Sequence, residues 1–152
     1  MKLFIDDIRS APEGWHLAKT VTEAIRTIYY DGMFGDRITH ISLDHDISHP
    51  VTVGSLQRPY PCEETYAAVA YFIALKYENR AIAKQVGAVI TCLNVDCPER
   101  TGGECWSSIV PQITLHTSNI VGAENMQLIL SKHGISCDIK LSAPVTRPQP
   151  KQ

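Results

Sequence analysis

No run of apolar residues in this chain is long enough to span a bilayer. The opening one, Met1 to Ile5, is cut short by Asp6 and Asp7, well below the length of a signal peptide's hydrophobic region. This excludes helical membrane proteins and makes a cytoplasmic location the expectation. Charge of one sign is also lacking: 14 Lys and Arg face 16 Asp and Glu, a formal net charge of −2. No whole-protein positive field draws in nucleic acid, so a nucleotide ligand has to be met locally rather than on a broad basic patch. An even cysteine framework is missing as well. Cys62, Cys92, Cys97, Cys105 and Cys137 are five, which argues against a secreted disulfide scaffold and for reduced thiols. The spacing Cys92-x4-Cys97-x7-Cys105 has no paired CxxC knuckle, so zinc is not expected.

What is present is ordinary globular material: 152 residues, 44% apolar and 20% charged. That length fits one domain able to hide about 68 to 70% of its unfolded surface. The patterning places that domain over residues 1–141 and leaves 142–152, with three prolines, as a flexible tail.

Leu3-Phe4-Ile5 is a continuous apolar run, the signature of a parallel strand covered on both faces, and it delivers Asp6 and Asp7 at its carboxyl end. A loop with Pro12 and Gly14 leads to a short strand at His16 to Lys19. Thr20-Val21-Thr22-Glu23 has capping-box spacing, and the helix that follows carries Val21, Ile25, Ile28 and Tyr29 until Gly32 offers a left-handed stop. Ile38 to Leu43 alternates as a strand and ends in Asp44-His45-Asp46. Residues 47–62, with three prolines, read as a loop. Glu63 to about Lys84 reads as the longest helix, with Val69, Phe72, Ile73 and Lys76 marking one face. Val and Ile suggest a strand over 87–95, and 96–103 has loop chemistry. Ile113 to His116 is a strand, residues 122–133 a helix stopped by Gly134, and Ile135 to Leu141 a last alternating strand.

Strands alternating with helices predict an open, mostly parallel α/β sheet with helices on both faces, which binds ligands beyond the carboxyl ends of its strands. Three such ends bring Asp6 and Asp7, Asp44 to Asp46, and His116 to Asn119 toward one crevice. Converging carboxylates repel one another unless a cation compensates, and Mg²⁺ or Mn²⁺ suits oxygen donors that leave room for phosphate. Capping of the adjoining loop is the plainer use of Asp6 and Asp7. His45 is either a brace for the neighbouring carboxylates or a proton carrier. His116 is followed by Ser118 and Asn119, which can cap the next helix, hold an anion at its N-terminus, or do both. Arg9 is a phosphate clamp or a solvent-facing loop residue.

The order Phe4-Ile5-Asp6-Asp7-Ile8-Arg9 with Pro12, Gly14 and Trp15, then Ile41-Ser42-Leu43-Asp44-His45-Asp46, then Ile113 to Asn119 with Val121-Gly122, resembles the cyclic-phosphate-processing receiver domains. The resemblance runs to about Leu141. It implies a flavodoxin-like receiver fold with an insertion near residues 80–110, and a role in processing cyclic phosphates, in some systems beside RNA repair. Ordinary receivers carry Lys-Pro after the last strand. Here Lys140 is followed by Leu141-Ser142-Ala143-Pro144, so phosphoacceptor signalling lacks one expected part.

Together these features point to a metal-dependent phosphoesterase acting on an RNA-terminal cyclic phosphate or a small cyclic nucleotide. Asp6, Asp7 and Asp44 would hold the metal, with His45 and Asp46 as a relay. His116 would protonate the leaving ribose oxygen, and Arg9, Ser118 and Asn119 would position the phosphate. The alternative is a non-catalytic receiver-like module, phosphorylated or liganded at Asp44.

Overall fold

The structure, a computed structural model, describes residues 1–32, 37–46, 66–86 and 110–143. In chain order these form β1 (Lys2–Ile5), β2 (His16–Ala18), α1 (Val21–Tyr29), β3 (His40–Leu43), α2 (Ala67–Val86), β4 (Gln112–Thr117), α3 (Ile120–Lys132) and β5 (Cys137–Leu141). All five strands pair in parallel, in the order β2-β1-β3-β4-β5. This is the flavodoxin-like receiver class expected from the sequence. No helix among the described residues is long and apolar enough to cross a membrane.

The strand order follows from chain direction. The chain steps from β1 outward to β2, then crosses back over β1 to β3, and every later connection advances the same way. Right-handed crossovers in one direction put their helices on one face. Accordingly α1, α2 and α3 send Ala24, Ile28, Val69, Ile73, Tyr77, Met126 and Leu130 into a single core with Leu3, Ile5, Ile41, Leu43, Ile113 and Leu115. The one connection running the other way, β1 to β2, is turn and loop over residues 6–15, where Pro12 and Gly14 oppose a helix. Among the described residues α1 packs against α2 and α2 against α3.

Local chemistry sets the ends of the elements. Thr20 accepts from the Glu23 amide and Glu23 reaches back to the Thr20 amide, so the capping box is formed. Gly32 and Gly134 take φ of 78° and 72°, left-handed geometry that terminates the helices before them. The buried stripe of α2 is Val69, Ile73 and Tyr77. Lys76 reaches out from it to the Tyr29 carbonyl at 2.9 Å. Among the described residues α2 begins at Ala67, and α3 begins at Ile120 rather than Gly122. Glu63 and Glu64, the 47–62 loop, the strand expected over 87–95 and the cysteines Cys62, Cys92, Cys97 and Cys105 lie outside the described residues. So do the tail from Pro144 onward and all of the expected 80–110 insertion except Arg80 to Val86, which continue α2, and Val110.

At the end of the sheet away from the crevice, buried Asp31 ties three elements together. Its Oδ1 accepts from the Ile38 amide at 2.7 Å, and its Oδ2 accepts from the Tyr77 hydroxyl at 2.9 Å and from Arg37 Nη1 at 3.4 Å. Removing one partner of such a buried set strands the others in a dry environment. Asp31→Ala is therefore expected to cost about 3 kcal/mol, and Tyr77→Phe about 1 kcal/mol, in urea unfolding. Equal midpoints for wild type and Asp31→Ala would show that this junction is solvated and carries no stability.

Candidate functional site

The carboxyl ends of β1 and β3 flank the place where the strand order reverses, the usual ligand crevice of an open α/β sheet. Register aligns them: Ile5 pairs with Leu43 and Leu43 with Leu115, so Asp6, Asp44 and His116 follow at one level. All three are buried, and each offers a ligand atom within 4.8 Å of the other two.

Asp6 is fully buried and engaged on both oxygens. Its Oδ1 accepts the amides of Ile8 at 2.8 Å and Arg9 at 2.7 Å, the local turn that an Asp side chain favours. Its Oδ2 accepts Arg9 Nη1 at 2.9 Å and pairs with His116 Nε2 at 3.1 Å. Burial alone would raise the Asp6 pKa. The hydrogen bonds from His116, from the Arg9 backbone and side chain and from the Ile8 amide outweigh it, and the carboxyl is held well below its ordinary value. Asp44 accepts the His45 amide at 2.7 Å on Oδ1 and Arg9 Nη1 at 3.0 Å on Oδ2. Its pKa is pushed up, chiefly by burial and further by the Asp6 charge, against the lowering effects of the His45 amide, His116 and Arg9. One guanidinium thus bridges two buried carboxylates.

His116 is clamped. Its Nδ1 meets the Ser42 hydroxyl at 2.7 Å while Nε2 meets Asp6, and its ring stacks on Phe4 at 4.4 Å between centroids. Asp7 is half-buried and stands outside the group formed by Asp6, Asp44 and His116. Its charge is felt at Tyr66, a buried phenol whose pKa is raised by burial first and then by Asp7, Asp6 and Asp44. The Tyr66 hydroxyl donates to the Lys19 carbonyl at 2.5 Å.

A second group borders the first through the Asp44–His45 peptide. His45 Nδ1 lies 2.8 Å from Asp46 Oδ1, which also accepts Asn119 Nδ2 at 3.2 Å. Asn119 Oδ1 accepts the Gly122 amide at 2.9 Å, so one side chain caps α3 and steadies Asp46. The His45 ring lies on Gly122 so closely that a Cβ there would come within 2.3 to 2.5 Å of ring atoms. Ser118 is exposed beside this group. The structure therefore brings Asp6, Asp44, Arg9 and His116 into one cluster and His45, Asp46 and Asn119 into another beside it, while Asp7 and Ser118 stand at the margin. The sequence reading had missed Ser42, Phe4 and Gly122. The signal for Ser42 was its place two residues before Asp44 on the same strand face. For Gly122 it was a glycine in the first turn of a helix, where it weakens the helix unless something approaches closely.

The family model of the cyclic-phosphate processing receiver domain matches residues 1–93 of the chain. No curated protein and no solved structure matches it.

Gly122→Ala is expected to push the His45 ring off α3 and lower stability by about 1 to 3 kcal/mol, the usual cost of overpacking. The His45 imidazole resonances should shift in the NMR spectrum. Unchanged resonances and stability would mean that the ring has room to move. Linkage gives a second test. Because Asp6 is held lower in the folded than in the unfolded protein, its contribution is complete above the unfolded value of about 3.9 and drains away as pH falls through the folded value. Asp44, raised on folding, has the opposite sign: stability falls as pH rises from about 3.9 through its folded value. Asp6→Asn should thus be less stable at neutral pH by about 3 kcal/mol and lose less than wild type on acidification below about pH 4. Parallel curves of urea midpoint against pH would overturn this assignment.

Proposed function

The chain belongs to the cyclic-phosphate processing receiver domains, and we propose that it opens a cyclic phosphate by metal-assisted hydrolysis where β1, β3 and β4 end. The supporting observation is the convergence of Asp6, Asp44 and His116 from three strand ends. The two carboxylates offer oxygen donors suited to a Mg²⁺ or Mn²⁺ ion that keeps open positions, with His116 beside them. Such an ion, when bound, would polarise a phosphoryl oxygen and lower the pKa of a water.

The protein's own groups supply the rest. Arg9 carries a planar fork that matches phosphate oxygens. Ser118 and the α3 N-terminus capped by Asn119 give the phosphate further donors. In the reaction, water adds to phosphorus, one ribose oxygen leaves with a proton, and a phosphomonoester results. His116 has both ring nitrogens engaged, so in this reading it fixes Asp6. The proton for the leaving oxygen is assigned to His45, whose Nδ1 is held by Asp46 and whose Nε2 has no hydrogen bond among the described residues. Asp7 contributes negative charge at the edge of the same crevice. The substrate is an RNA-terminal cyclic phosphate or a cyclic nucleotide.

Incubating the protein with Mg²⁺ or Mn²⁺ and each substrate class, and resolving the products, tests this. A phosphomonoester should form only with the divalent cation. Asp44→Asn should lower kcat by about 10²-fold or more while the fold persists, the scale of losing one preorganised electrostatic group. One observation favours a second reading, a binding module without turnover: Arg9 already balances the two carboxylates. Saturable binding of a cyclic phosphate with no product from either class would replace the enzyme reading with that one.

A further inference from the structure

We propose that Arg9 is an exchange residue: the crevice takes up a divalent cation only as the Arg9 guanidinium leaves Asp6 and Asp44, and the released guanidinium becomes a ligand of the incoming phosphate. Cation and phosphate then bind cooperatively. The inference rests on the reading of this crevice as a cation and phosphate site, and it concerns the order and coupling of their entry.

The accounting of lone pairs at Asp6 carries the argument. A carboxylate offers about four acceptor positions. At Asp6 they are taken by the Ile8 amide, the Arg9 amide, Arg9 Nη1 and His116 Nε2. A metal ion finds no free position on this carboxylate until one donor departs. The two amides belong to the turn that closes β1 and cannot leave without unfolding it. His116 is pinned by Ser42 at 2.7 Å and by the Phe4 ring.

Arg9 is the donor that can go. Its side chain is 23% exposed, against 0% for Asp6 and 7% for Asp44. Its one other polar contact among the described residues is long, Nη2 to the Ala143 carbonyl at 3.4 Å. A guanidinium cannot make way by losing its proton, because it stays charged at any pH a protein survives. It has to move.

Moving it changes two balances at once. With Arg9 in place, Nη1 sits 2.9 Å from Asp6 Oδ2 and 3.0 Å from Asp44 Oδ2, the position a divalent cation would claim, so the two cations compete. With Arg9 displaced, its charge stands beside the crevice without a carboxylate partner, and a phosphate is the natural replacement. Each ligand therefore removes an obstacle to the other, and such coupling is reciprocal by linkage. The shared Nη1 makes the device sensitive to both aspartates: loss of either contact alone leaves Arg9 on the other.

The test is metal binding without turnover. Mn²⁺ binding is followed by the electron paramagnetic resonance of the free ion, with and without inorganic phosphate, in wild type, Arg9→Gln and Arg9→Lys. Wild type should bind Mn²⁺ weakly alone and about tenfold more tightly with phosphate, within the usual range of coupling between two sites. Arg9→Gln should bind Mn²⁺ alone about tenfold more tightly than wild type and show no phosphate effect. Arg9→Lys keeps a competing charge without the fork, so it should stay weak alone and show a reduced phosphate effect. A lowered melting temperature of Arg9→Gln, restored by Mn²⁺, would also support the exchange.

Arg9→Gln binding Mn²⁺ no more tightly than wild type, or retaining the phosphate effect, would overturn it. If Arg9→Gln does not fold even with Mn²⁺, Arg9→Lys decides: full wild-type coupling in that variant overturns the exchange, and reduced coupling supports it. Wild type that binds Mn²⁺ and turns over a cyclic phosphate while Arg9→Gln behaves identically would sink the exchange alone. Absence of Mn²⁺ binding in all three proteins, with and without phosphate, would sink the cation site and the exchange with it.

Discussion

Two aspartates from neighbouring strands, brought out of water side by side, set the terms for everything around them. Asp6 and Asp44 follow β1 and β3 in the same register, and both are buried. In such surroundings like charges raise one another's pKa, and an uncompensated pair would not both remain ionised. The protein divides the problem unequally. Asp6 collects two amides, a guanidinium and an imidazole and stays ionised far into acid, whereas Asp44 keeps one amide and a share of the guanidinium and is pushed the other way. Arg9 and His116 are answers to this constraint. Ser42 and Phe4 hold His116 in place and so belong to the same answer one contact further out.

Fold and site are joined by the backbone. The Asp6 amide donates to the Ala18 carbonyl at 3.1 Å and the Asp44 amide to the Ile5 carbonyl at 3.0 Å, so each carboxylate is planted on the last rung of a sheet ladder. The distance between the two side chains is therefore decided by apolar packing. Leu3, Ile5, Ile41, Leu43, Ile113 and Leu115 are at most 1% exposed and lock the register of β1, β3 and β4 against the helices. A slip of one residue in any strand would turn Asp6, Asp44 or His116 to the wrong face.

Most of this was legible in the sequence where a local rule governs. The run Leu3-Phe4-Ile5 ended by Asp6, the capping box at Thr20 and Glu23, and the left-handed stops at Gly32 and Gly134 depend on neighbouring residues and could be placed from them. The convergence of three strand ends followed from the general rule for open α/β sheets. What could not be placed is what depends on residues far apart in the chain. That Arg9 spans Asp6 and Asp44, that Ser42 engages His116 and that the His45 ring lies on Gly122 are contacts across 35, 74 and 77 positions, respectively. Asp6 and Asp7 look alike in sequence. Only the turn after β1 decides that the first enters the cluster and the second stands outside it.

The cation in this crevice comes from the loop after β1, and this bears on what the site can do. In the sheet, Lys140 pairs in register with His116 but is exposed. Arg9 meets both carboxylates instead, with a flat, delocalised charge that can serve two oxygens at once where an ammonium is a single point. As a result Asp44 has both oxygens engaged and little exposure, so the in-line approach needed for phosphoryl transfer to that carboxylate is closed while Arg9 stays. A receiver that signals through an aspartyl phosphate needs the reverse, an open carboxylate with its counter-charge held to one side. If the crevice takes a phosphate as proposed, the guanidinium closing Asp44 is also the group best shaped to receive it.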